Sequence, residues 1–149
     1  MGGRGLVAAD TEIESRLAQV FFANGEGFLP QDNPGDARDG REICYATAIA
    51  AELVFKAFLL TQGWNDDRCR REIRHDLAKG LACTRAAGLE NPPNELGYVI
   101  DVLNAYYPNH AFDSFVAPAG DEAFPARARS IVAELFERVR PHVEVSGGP

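Results

Sequence analysis

The sequence predicts an all-α protein, an up-and-down bundle of four to five helices. Three observations lead there. Every long segment carries apolar residues at helical spacing, and none alternates as a half-buried strand does. One segment, "ICYATAIAAELVFKAFLL" from Ile43 to Leu60, is apolar almost all round, as a helix is when neighbours cover it on several sides. The chain has 149 residues, enough for one domain with a buried core and too few for two comfortable ones.

Thr11 and Glu14 form a T-x-x-E capping box, and Ile13, Leu17, Val20 and Phe21 follow it at i, i+4, i+7 and i+8. They predict a first helix preceded by a flexible stretch, 1–10. Its end is expected to fray into "NGEGFLPQDNPGD", whose Gly, Pro and Asn mark a loop. The second helix is expected over about 37–62, stopping at Gly63, with Leu53 and Phe58 in the core. "GWNDDR" reads as a connector. Leu77, Leu81 and Cys83 belong to a third helix ending at "AAGL". Asn91 as cap and Pro92 in the first turn open a fourth, with Leu96, Val99, Ile100 and Leu103 as its stripe. "YYPNHAFDSFVAPAGDEAFP" is a long loop. The last helix places Ala128, Ile131, Val132, Leu135 and Val139 on one face and stops before Pro141. The bundle thus spans 11–140, and 141–149 form a flexible tail.

Composition narrows the function. Hydrophobic residues make up 46% and charged residues 25%, and the net charge is −7. An acidic surface repels phosphate and opposes non-specific nucleic-acid binding, leaving room only for a local basic patch. Cys44, Cys69 and Cys83 are odd in number and form no CxxC pair, so a reducing cytoplasm is expected and a disulfide framework or zinc site is not. Ile43–Leu60 could pass for a membrane span. However, Glu52 and Lys56 sit near its centre, where each charge costs about 2.5–3.5 kcal/mol in lipid. No membrane association and no cofactor are expected. The start "MGGRGLVAAD" is too short and too weakly apolar for a signal peptide.

The order "AIAAELVFKAFLLTQG", a short connector, "HDL", "DVLNAYYP" and a final amphipathic helix resembles the HEPN domain, over roughly 11–140. The resemblance implies a helical bundle that dimerises. It also implies one of two activities. Many such domains are metal-independent ribonucleases, often toxins paired with a nucleotidyltransferase antitoxin; others lack the catalytic motif and bind nucleotides or act as accessory modules. The ribonuclease motif is an Arg, four to six residues, then a His. It supplies a base for the 2′-hydroxyl and a fixed cation for the charge on phosphorus.

In "RCRREIRHDL", Arg70 and Arg68 both meet that spacing to His75. Neither is followed by the polar residue usual in the motif; the neighbours are Arg71 and Cys69. Residues five apart lie about 140° apart on a helix, so Arg70 would not face His75. Arg68 would, if one helix ran unbroken from Asp67. The region matching the motif's usual place, "VLNAYYPNH", has His110 but no arginine. The lead expectation is therefore a non-catalytic HEPN-like module. Its candidate ligand-binding residues are Arg68, Arg71, Arg74, His75, Tyr106, Tyr107 and His110, for a nucleotide, RNA or protein partner. The competing expectation is a ribonuclease using His75 with Arg68 or Arg70. Glu52 and Lys56, four apart in the favourable order, are expected to form a partly buried polar cluster with Tyr45 and His75. Three scattered histidines make no metal site.

Overall fold

The computed structural model describes residues 2–31 and 39–146, all helix, turn and loop with no strand among them. Six α-helices follow in order: α1 (Gly2–Phe28), α2 (Gly40–Thr61), α3 (Asp66–Glu72), α4 (Leu77–Ala86), α5 (Leu96–Asn104) and α6 (Phe124–Ser146). Two 3₁₀ turns, Tyr107–Asn109 and Phe112–Ser114, lie in the loop between α5 and α6.

The centre is α2, which packs against α1, α4, α5 and α6. Asp39 caps its start, accepting from the Arg41 amide at 3.0 Å. Ala37, the expected start, lies outside the described residues. At the other end Gly63 takes φ 98°, and the Trp64 amide reaches back to the Leu59 carbonyl at 3.1 Å. That is a Schellman closure, with Trp64 packed beside Leu59 as the motif favours. Val54, Phe55, Phe58 and Leu59 are fully buried. Leu53 is only half-buried, because it faces α1 rather than the centre. α2 is long and apolar enough to cross a membrane by length and composition, but 72% of its apolar window is buried inside the protein.

Several expected boundaries move. α1 starts at Gly2, so Thr11 lies inside the helix rather than at its start. It also runs on through "NGEGF" to Phe28. The reason is packing: a Cβ on Gly25 would lie 2.8 Å from Phe136 Cζ and 3.2 Å from Leu53 Cβ, so the glycine lets α1 seat against α2 and α6. The face turned inward is Ala18, Phe22 and Gly25, which leaves Ile13 (63%) and Val20 (50%) exposed.

The expected connector "GWNDDR" instead contributes α3. Asn65 caps it through the Arg68 amide at 2.7 Å, Asp66 and Asp67 favour its positive end, and Cys69 and Ile73 seal it against Ala18, Leu59 and Leu60. Likewise α5 starts at Leu96, not near Asn91. Asn91 and Glu95 take φ 51° and 68°, and the turns they make delay the helix. At the other end of the chain α6 passes through Pro141 to Ser146. Val143 is buried beyond the proline, and His142 stands edge-on to Phe58 with ring centroids 5.0 Å apart. This packing holds the last turns despite the lost hydrogen bond, so residues 141–146 are not a tail.

Candidate functional site

The site assembles where α3 breaks from α4. The break is set by the sequence "IRHD". Ile73 closes α3, Arg74 turns the chain through φ 54°, and Asp76 caps α4 by accepting from the Lys79 amide at 3.1 Å. Asn104 of α5 ties the corner, accepting from the Leu77 amide at 2.8 Å and donating to Asp76 at 3.0 Å. His75 thus sits on a fixed corner rather than inside a helix. The unbroken helix that would have put Arg68 and His75 on one face does not form.

Beneath the corner lies a buried acid–base network. Glu52 and Lys56 side chains are each only 10% exposed and pair at 2.8 Å. The other Glu52 oxygen lies 2.8 Å from His75 Nδ1, and the His75 side chain is 58% exposed. The Tyr107 phenol lies close enough to the Glu52 carboxylate to feel its charge. Burial, and then the negative charge of Glu52, push that phenol well above the ordinary tyrosine range. One carboxylate therefore holds Lys56 on one oxygen and His75 on the other, since a buried charge needs partners. Glu52, Lys56 and His75 come together as the sequence suggests. Tyr107 takes the place expected of Tyr45, which instead packs at a tilt against Tyr107 and Phe112, with centroids 6.3 and 5.8 Å apart. The carboxylate fixes the imidazole through Nδ1 and leaves Nε2 free of that contact.

Two concavities flank His75. A cleft of about 520 Å³ is lined by Arg71, Arg74, His75 and Lys79, with Glu72, Ile73, Asp76 and Pro108. A shallower recess of about 190 Å³ is lined by Tyr45, His110, Phe112 and Asp113. They adjoin: the His75 and His110 rings are 6.3 Å apart. The turn Tyr107–Asn109 is the wall between them, with Pro108 in the cleft and His110 just beyond it in the recess.

The arginines divide. Arg68 pairs with Glu72 and lies 3.7 Å over the Trp64 ring, and Arg70 pairs with Asp66 at 3.4 Å. Neither lines the cleft with His75. Arg71 does, while paired with Asp67 at 2.8 Å. Among the described residues, Arg74 and Lys79 make no ion pair and neither does the lining Asp76, so the unpaired charges of the cleft sum to a net positive. Tyr106 packs on Phe112 and Phe115, and Tyr107 is buried; neither lines the cleft or the recess. Lys79, Tyr45, Phe112 and Asp113 are lining residues the sequence did not single out for a ligand. The only signal for Lys79 is its place four residues after His75, one turn into α4.

Among the described residues no group of three or more His, Cys, Asp or Glu side chains could hold a metal ion. No family model, curated protein or solved structure matches the chain.

Proposed function

We propose that this chain is a HEPN-like, non-enzymatic module that binds a phosphate-bearing ligand, a nucleotide or RNA terminus, in the cleft at the α3–α4 corner. The observation that carries this reading is the meeting of Arg71, Arg74, His75 and Lys79 in one concavity of an otherwise acidic protein. Charged donors to phosphate are among the stronger hydrogen bonds. The pairing of Arg68 and Arg70 with acids on their own helix argues against a ribonuclease built on either of them. The reading extends to a cytoplasmic homodimer, with a nucleotidyltransferase-type partner in a toxin–antitoxin or defence setting. Exposed Ile13 and Val20, seven residues apart and so on one face of α1, support an apolar contact between copies.

A second reading has one observation in its favour. His75 is held by a buried carboxylate through Nδ1 while its ring stays exposed, which is how a general base is oriented. It would make the protein a metal-independent ribonuclease, with Arg71 or Arg74 as the cation.

One experiment separates the two. The protein is incubated with unstructured RNA without metal, beside His75→Ala and Arg74→Ala, and its melting is followed with ATP. The binding module leaves RNA intact and melts higher with ATP; at a ligand concentration 100 times Kd, linkage gives about 2.7 kcal/mol. Cleavage by the wild type and by neither folded variant establishes the ribonuclease instead.

A further inference from the structure

We infer that the recess beside the cleft is a subsite for an amine-bearing ring, so that the ligand is a single nucleotide with an amino-substituted base. This rests on the phosphate reading of the cleft. The recess offers what a planar ring needs. Tyr45 is 42% exposed, its ring is braced by tilted contacts with Tyr107 and Phe112, and it lines the recess beside Phe112, which gives a base aromatic surface to pack on. His110 also lines the recess, from a left-handed backbone at φ 52° that closes the Tyr107–Asn109 turn. At about 190 Å³ the space suits one ring system and falls below the usual size of a complete ligand pocket.

Charge then fixes the direction. Asp113 is the recess's only carboxylate, and among the described residues it makes no ion pair; Arg41 donates at 3.2 Å to its backbone carbonyl and is itself paired with Asp39. Asp113 repels a phosphate and accepts from an exocyclic amine. On the other side of the Pro108 wall Arg74 and Lys79 do the reverse: they outnumber Asp76, which makes no ion pair among the described residues, while Glu72 is paired with Arg68. A nucleotide therefore lies across the wall in one orientation, phosphate to the cleft and base to the recess. A polynucleotide strand gains less, because it would carry further phosphates past Asp113.

The test titrates the full chain with AMP, IMP and ribose 5-phosphate. Base stacking predicts that AMP binds about tenfold or more tighter than ribose 5-phosphate. The Asp113 carboxylate predicts that AMP also exceeds IMP, which has a carbonyl where AMP has the amine. Tyr45→Ala removes the advantage over ribose 5-phosphate, and Asp113→Ala removes the advantage over IMP. Neither changes binding of ribose 5-phosphate, which serves as the check that each variant is folded. Equal affinity for all three probes overturns the inference and leaves the phosphate cleft standing. Binding of none of them overturns both.

Discussion

Replacing His75 with alanine removes one partner from Glu52 and leaves Lys56 and Tyr107 in place. The expected cost is about 1 kcal/mol, a fall of roughly 3 °C in Tm. Glu52→Ala strips the buried Lys56 ammonium of its counter-ion and is expected to cost about 3–5 kcal/mol. Chemical denaturation of the two variants gives the order; a His75 variant as unstable as the Glu52 variant would show that the imidazole, not the carboxylate, organises the network. Buried protonated groups also set an alkaline limit. Burial raises the Cys44 thiol from its ordinary 9.0 to about 12 and Cys69 to about 11, and Tyr107 rises above its ordinary 10.0. For such groups the unfolded chain loses its protons first. Their stabilising contribution is complete below about pH 9 and is lost as pH rises toward the folded values. Urea midpoints should be flat from pH 7 to 9 and fall above it, and Tyr107→Phe should soften the decline above pH 10. A midpoint unchanged at pH 10.5 would contradict this.

Helix ends were the least legible feature: local turns delay α5, while tertiary packing extends α1 past its glycines and α6 past its proline. "NGEG" is a loop by propensity, yet Gly25 packs under Phe136 and keeps α1 helical. Two substitutions test this reading. Gly25→Ala should destabilise by about 1–3 kcal/mol through overpacking, although alanine is the better helix former. Gly27→Ala meets nothing within 4 Å and should stabilise by up to about 1 kcal/mol. If both variants gain stability, α1 does not seat as described. Pro141 offers the parallel case in α6. Because the helix continues to Ser146, Pro141→Ala restores the amide to the Glu137 carbonyl and should raise the unfolding free energy by about 1–3 kcal/mol. No gain would mean that α6 ends where the proline first suggested. The centre was more legible. An almost continuous apolar run with an internal Glu–Lys pair reads as a buried helix, since such a run needs cover and such a pair needs partners.

At the scale of the molecule, the sequence named Arg68, Arg71 and Arg74 with His75 as ligand-binding candidates, and Arg68 or Arg70 as the catalytic alternative; the fold puts Arg71 and Arg74, but neither Arg68 nor Arg70, in the cleft with His75. Spacing alone nominated Arg68 and Arg70, because it takes "RCRREIRH" as one helix. Asn65 and Asp76 cap two helices instead, and the turn at Arg74 swings Arg71, Arg74 and Lys79 around His75. Neither the acids that neutralise the α3 arginines nor the loop that brings His110 beside His75 could be placed without the fold. What results is an acidic body with a cationic corner where, among the described residues, Arg74 and Lys79 make no ion pair, and the proposed function depends on that corner. Calorimetric titration of inorganic pyrophosphate into the wild type and into the Arg74→Ala/Lys79→Ala double variant tests it most directly. The account predicts saturable binding by the wild type that weakens as salt is raised, and a loss of at least tenfold in the variant, from two charged contacts worth about 1.5–3 kcal/mol each. Equal binding by the two proteins, or none by the wild type, would contradict it.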